Sequence, residues 1–144
     1  MKARETLVAL LLLALPVPTA AASIEGPIWR LTDLRGLDPR VLRDATRPVT
    51  ATFKAGRISG FSGCNQFFGP YTLDRDRVVI GKLAGSLMAC EEPSMKVENA
   101  VHAALAGTFR FVLTDRRLTL VSGNEPILTF QEEPARTLEG VTWK

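Results

Sequence analysis

The stretch Ser59-Gly60-Phe61-Ser62-Gly63-Cys64-Asn65-Gln66-Phe67-Phe68-Gly69-Pro70-Tyr71 decides the fold that we expect for this chain. It brings together glycines, aromatic side chains and one of the two cysteines. A second segment, Ser86-Leu87-Met88-Ala89-Cys90, carries the other cysteine. We expect the two segments to be joined, with the remaining elements arranged around that junction.

The N-terminal sequence predicts export. Lys2 and Arg4 precede an unbroken apolar run at 7–15, and the pattern Ala20-x-Ala22 fits a signal-peptidase site before Ser23. An uncleaved membrane anchor is the alternative, but the apolar run is too short to span a bilayer comfortably. We therefore expect a signal peptide over 1–22, a periplasmic or secreted protein, and no membrane span after cleavage. Because no cysteine lies near the cleavage site, we do not expect a lipoprotein.

The length, net charge and cysteine count of the chain narrow the class of protein that it can be. The chain has 144 residues, enough for one domain with a core, and a formal net charge of +3. Removing residues 1–22 takes away two basic side chains and one acidic side chain, which leaves +2. This balance does not indicate nucleic-acid binding. In an oxidising compartment two cysteines are expected to pair, and a Cys64–Cys90 disulfide would stabilise the fold by about 3–4 kcal/mol.

The apolar patterns predict mainly strands and one helix. Apolar residues alternate in short runs, which predicts strands at 28–34, 49–53, 57–60, 71–73, 77–80, 109–113, 117–121 and 126–130. An apolar stripe from Val97 to Leu105, ended by Gly107, predicts an α-helix at about 93–106. Residues 40–47 are charged without a pattern, so we expect a loop there. The links are too short for parallel crossovers, which predicts an α+β fold with a mainly antiparallel, curved and partly open barrel-like β-sheet.

The end of the chain repeats its beginning. Residues 138–144 share with residues 24–30 an aliphatic residue, Glu-Gly, two variable positions, Trp and a base. We expect a domain at 23–131 and a C-terminal extension at 132–144 that is the possible start of a second repeat. A chance match is the alternative.

These motifs, in their order and spacing, resemble the META domain family, which includes the heat-shock protein HslJ. The resemblance covers about 26–131 and departs at Ser86, where the family usually has threonine. It implies a small β-rich domain with one helix in bacterial envelopes, linked to heat or envelope stress, and it implies no reaction. The positions of this chain that carry the motif are Gly60, Ser62, Gly63, Asn65, Gly69, Tyr71, Ser86 and Met88, together with Cys64 and Cys90.

Residue types that support catalysis are sparse. His102 is the single histidine, and a zinc site needs three or four ligands, so we expect no metal and no cofactor. We expect His102 to lie at the surface of the helix. A Cys64–His102 nucleophile pair is the sharpest enzyme hypothesis, but a disulfide would remove the thiol. Ser62 lacks the closing glycine of a nucleophile elbow. We therefore expect a protein that is not an enzyme.

The aromatic residues of the central stretch are the candidates for a binding surface. Alternate residues of a strand face opposite sides, so Phe61, Phe67 and Phe68 cannot all face one core, and some of them are expected to line an exposed patch. The alternative places all of them in the core. We expect a monomer that binds an envelope protein, a peptide or a small hydrophobic ligand. A structural module of a tandem-domain protein is the alternative function.

Overall fold

The computed structural model of the protein describes residues 11, 13–16 and 23–134. The predicted cleavage site, most of the signal peptide and residues 135–144 lie outside these residues, as does the second half of the internal repeat. Within the described part, no helix has the length and apolar character needed to cross a membrane.

The described residues form nine strands and two helices. In chain order these elements are β1 (Trp29–Leu34), α1 (Pro39–Arg43), β2 (Thr50–Lys54), β3 (Arg57–Phe61), β4 (Gln66–Asp74), β5 (Arg77–Ile80), β6 (Ala84–Gly85), α2 (Glu92–Leu105), β7 (Gly107–Thr114), β8 (Arg117–Ser122) and β9 (Glu125–Glu132). The predicted helix and each of the eight predicted strands are confirmed, with bounds that shift by a few residues. The largest extension is that of β4, which begins five residues before the predicted strand at 71–73.

The strands form an antiparallel barrel. Eight of them pair around a closed ring in the order β1, β2, β3, β4, β5, β7, β8 and β9, with β9 returning to β1. The short strand β6 adds to β4 outside this ring. The predicted α+β class with a curved antiparallel sheet is confirmed, and the pairing of β3 with β4 closes the barrel that the sequence led us to expect partly open.

Alternation of side chains builds the core of the barrel. Fully buried residues such as Trp29, Phe53 and Phe130 face inward, and α2 buries Val97 and Leu105 in the same cluster. Trp29 also donates its indole N–H to the carbonyl of Ile24 at 2.8 Å, which joins the start of the domain to β1. Burial of these large apolar side chains makes the main favourable contribution to the free energy of folding.

The loop that we predicted at 40–47 is partly wrong, because α1 occupies Pro39–Arg43. The carboxylate of Asp38 accepts the backbone N–H of Arg40 at 3.0 Å, and Pro39 stands in the first turn, where its missing N–H costs nothing. Leu42 is the buried residue that ties this helix to the barrel. Because Leu42 is the only buried residue of this helix, its sequence has no periodic apolar pattern that would predict it.

Candidate functional site

The central stretch is covalently joined to the segment before α2. Cys64 and Cys90 form a disulfide with their Cα atoms 5.9 Å apart, and the described residues contain no free cysteine. Cys64 is buried. The predicted junction is therefore present in the structure, and Cys64 carries no thiol that could act as a nucleophile or bind a metal.

Asn65 joins the same two segments by hydrogen bonds. Its side-chain Nδ2 donates to the carbonyl of Met88 at 3.0 Å, and its Oδ1 accepts the backbone N–H of Met88 at 2.7 Å. Oδ1 also accepts the hydroxyl of Ser86 at 3.1 Å. The amide of Asn65 thus imitates a backbone pairing, which explains why the motif needs an asparagine at this position and a hydroxyl at Ser86.

A buried carboxylate, which the sequence analysis did not single out, organises this network. Glu98 on α2 is 7% exposed. Its Oε1 accepts the Ser62 hydroxyl and the Asn65 backbone N–H, both at 2.7 Å, and its Oε2 accepts Asn65 Nδ2 at 2.8 Å. Burial raises the pKa of Glu98, but the hydrogen bonds from Asn65 and Ser62 outweigh it and leave the pKa below its ordinary value. Glu98 therefore fastens α2 to the central stretch as an anion.

His102 is not the plain surface residue that we predicted. It is half-buried one turn after Glu98, and its Nε2 lies 3.1 Å from the hydroxyl oxygen of Ser62. The Ser62 hydroxyl has one proton, and its two acceptors are Glu98 Oε1 at 2.7 Å and the Asn65 carbonyl at 3.0 Å. With that proton directed to either of them, the remaining contact is satisfied when His102 donates from Nε2 to a lone pair of the Ser62 oxygen. Among the described residues, no three side chains of metal-binding types come together.

This arrangement of Ser62, Glu98 and His102 differs from a hydrolytic triad. In a triad the histidine accepts the serine proton and the acid binds the far side of the imidazole. Here the acid and the histidine both contact Ser62, and Ser62 is fully buried. The polar groups of the network satisfy one another.

Gly63 allows α2 to approach the central stretch. Its backbone has φ of +126°, and a Cβ atom at this position would lie 3.0 Å from the carbonyl oxygen of Ser94 and 3.1 Å from the backbone nitrogen of Glu98. The position therefore requires glycine for both its conformation and the space it leaves. Gly60 and Gly69 instead lie against neighbouring backbone, at Thr50 and at Lys82 respectively.

The aromatic residues of the stretch divide between the core and the surface. Phe67 and Tyr71 are 2% and 4% exposed, so the side chain of Phe67 packs in the core, and the prediction that it forms part of an exposed patch is wrong. Its position in β4 turns it inward, while Phe68 turns outward and is 43% exposed. Tyr71 packs edge-on against Phe53, with ring centroids 5.1 Å apart. Phe61 lies on the outward face of β3 with Arg57 and Ser59, but it is only 7% exposed.

Two arginines lie on the aromatic residues that face outward. The guanidinium carbon of Arg47 is 3.9 Å from the ring centroid of Phe61, and that of Arg57 is 4.2 Å from the ring centroid of Phe68. Between them runs a groove of about 350 Å³, which we call the outer groove. Its lining residues are Arg47, Thr50, Arg57, Ser59, Gly60, Phe61, Gln66, Phe67 and Phe68.

Comparisons with known proteins agree with the fold and the motifs. An NMR structure of a protein from Burkholderia xenovorans is 26% identical with a TM-score of 0.59, and the match covers 82% of this chain and 96% of that chain. A second NMR structure, 23% identical with a TM-score of 0.56, covers 75% of this chain and 90% of its own and is similar in fold. A search among curated proteins finds no match. A model of the META domain matches residues 22–135, which include both cysteines and the buried network, so the chain belongs to the META domain family.

Proposed function

We propose that the protein is an exported, non-enzymatic domain of the bacterial envelope that binds a protein or peptide in its outer groove. The observation that carries this proposal is the environment of Phe68. This large aromatic residue faces outward from the first half of β4, and the guanidinium of Arg57 lies on its ring. A link to envelope stress is what membership of the family suggests.

Export is supported by two independent features. The N-terminal sequence has the charge, apolar run and small residues of a cleavable leader. The Cys64–Cys90 disulfide fits an oxidising compartment, since reducing conditions in the cytosol disfavour such bonds. The exported protein is expected to begin at Ser23, which N-terminal sequencing would test.

A non-enzymatic role is supported by the state of the reactive side chains. Cys64 is in a disulfide, the Ser62 hydroxyl donates a hydrogen bond to the buried carboxylate of Glu98, and His102 donates a hydrogen bond to Ser62. Each of these groups has a structural partner, and the network joins the central stretch to α2.

Binding in the outer groove is supported by the composition of this surface. Sheet surfaces that face water usually carry polar residues, whereas this one places Phe61 and Phe68 at diagonal positions on the neighbouring strands β3 and β4. Aromatic and arginine side chains are the types enriched where proteins bind one another. The side chains of Ser59 and Gln66 lie among them and supply polar contacts.

The proposal is tested by titrating the exported, isotope-labelled protein with a pool of short random peptides and following backbone amide signals by NMR. We expect the signals of Ser59, Gln66 and Phe68 to shift and the peptides to be recovered unchanged by mass spectrometry. Phe68→Ser should weaken these shifts strongly. Val79→Ser removes an apolar side chain of nearly equal exposure, 41% against 43%, from β5 and should leave them intact.

Two results would contradict the proposal. Shifts scattered over the barrel, or equally reduced by Val79→Ser, would show that the outer groove is no specific site. Cleavage or modification of the peptides by the wild-type protein would show an enzyme.

A further inference from the structure

We infer that the outer groove takes an extended peptide segment of a partner protein that carries acidic side chains, whose carboxylates are bound by Arg47 and Arg57. This inference rests on the proposed function, and it adds the chemistry of the partner. The outer groove carries aromatic and cationic side chains, and its positive charge is the property that selects the ligand.

The charge of the surface is positive and unbalanced. The ion pairs among the described residues use Arg35, Arg40 and Arg116, and none of them involves Arg47 or Arg57. The lining of the outer groove contains no carboxylate. A second groove of about 310 Å³ shares Arg57 and Phe68 with it, adds Lys82 and also lacks an acid. An acidic ligand would therefore meet three cationic side chains and no carboxylate among the residues that line the two grooves.

The aromatic rings prepare the two guanidinium groups for this contact. A guanidinium that lies on a ring keeps its N–H donors at the edge, where they remain available to a carboxylate. Stacking also restricts the long arginine side chain before the ligand arrives, so less conformational entropy is lost on binding. A planar carboxylate is the group that matches this fork of donors with two hydrogen bonds.

The shape of the surface favours an extended segment over a compact molecule. The two grooves follow one another through Arg57 and Phe68, so together they form a strip and not a closed cavity. From Phe61 to Arg57 the outward positions of β3 span about 13 Å, at roughly 3.3 Å per residue. An extended peptide of four or five residues covers about this length and places alternate side chains on the protein.

The inference is tested with blocked synthetic peptides and the exported protein. One peptide alternates Glu with Val, and its control has Gln in place of every Glu. We expect the Glu peptide to bind at least about tenfold more tightly than the Gln peptide, and each of Arg47→Gln and Arg57→Gln to weaken the Glu peptide about tenfold, because each removes a charge-assisted hydrogen bond. Arg110→Gln removes an exposed arginine from β7 and should change nothing.

Further measurements separate the possible outcomes. Binding of the Glu peptide should weaken as the salt concentration rises, and succinate or inorganic phosphate should compete only weakly. If the Gln peptide binds the outer groove as tightly as the Glu peptide, the proposed function stands and this inference is overturned. If succinate or phosphate binds more tightly than the peptide, the site serves a small anion. If neither peptide binds but the random peptides still shift the signals of Ser59, Gln66 and Phe68, this inference alone fails. If neither peptide binds and the random peptides give no such shifts, the inference and the proposed function both fail.

Discussion

Neighbouring residues of β4 have opposite environments, and this can be measured. Phe67 is 2% exposed and Phe68 is 43% exposed. Phe67→Ala should lower the free energy of unfolding by about 3–5 kcal/mol, because it leaves a cavity in the core. Phe68→Ala removes the same atoms from the surface and should cost less than about 1 kcal/mol, mainly the contact with Arg57. Urea unfolding of both variants checks this, and equal losses would mean that Phe68 is part of the core.

Glu98 should make stability depend on pH in the acid range. Its pKa is lowered in the folded state, so its contribution is complete above the pKa of about 4.3 that glutamate has in an unfolded chain, and it is lost as pH falls through the lower folded value. Glu98→Gln should cost about 2–3 kcal/mol at neutral pH, because the new amide group would face the donor Nδ2 of Asn65.

The pH series distinguishes this role from simple packing. The difference in unfolding free energy between wild type and Glu98→Gln should shrink as pH falls below about 4.3, since protonated Glu98 loses the same acceptor. A difference that stays constant down to acid unfolding would show that the charge of Glu98 contributes nothing.

The contact between α2 and the central stretch depends on the glycine at its closest point. Gly63→Ala should lower the free energy of unfolding by about 3 kcal/mol, because it combines backbone strain with a collision against Ser94 and Glu98. Gly36→Ala is the matched control, since Gly36 has φ of +86° but nothing within 4 Å of its missing Cβ. It should cost about 1 kcal/mol from strain alone. Chemical denaturation of the two variants measures the difference between their free energies of unfolding. Similar decreases in both variants would mean that α2 moves to accommodate the new methyl group.

The helices and strands that were predicted correctly are those with a local pattern of apolar residues in the sequence. The strands of the final meander alternate inside and outside, and α2 carries its apolar stripe, so both could be predicted from spacing alone. The short elements α1 and β6 were missed because each makes few apolar contacts, although Asp38 followed by Pro39 is a helix start that a search for caps would have found. The β3–β4 pairing closes the ring, but the ring also needs β1 to pair with β9. These two strands are far apart in sequence, and no local pattern predicts their pairing.

The candidate site could be predicted only in its covalent part. Two cysteines allow a single intramolecular pairing, so Cys64–Cys90 followed from the cysteine count together with the predicted export. Glu98 could not be singled out, because an acidic residue on a helix is usually exposed, and what makes it different is a partner 33 residues away. Its spacing of four from His102, on the side of α2 next to the apolar stripe, is the one signal that would have suggested a shared role.

At the scale of the whole molecule, the disulfide and the buried network fasten the same contact between the barrel and α2. The double substitution Cys64→Ala with Cys90→Ala should lower the free energy of unfolding by about 3.5 kcal/mol, the chain-entropy value for a loop of this length, while the hydrogen bonds of Asn65 and Glu98 keep the native fold. Thermal unfolding of the protein checks this, with a reductant as the matched control. Reductant should lower the melting temperature of wild type to that of the double variant and leave the variant unchanged.

If instead the double variant no longer folds, the network alone cannot hold α2, and the fold requires an oxidising compartment. If alkylation finds free thiols in the protein purified without reductant, the disulfide is absent in solution, and the Cys64 thiol becomes available as a nucleophile.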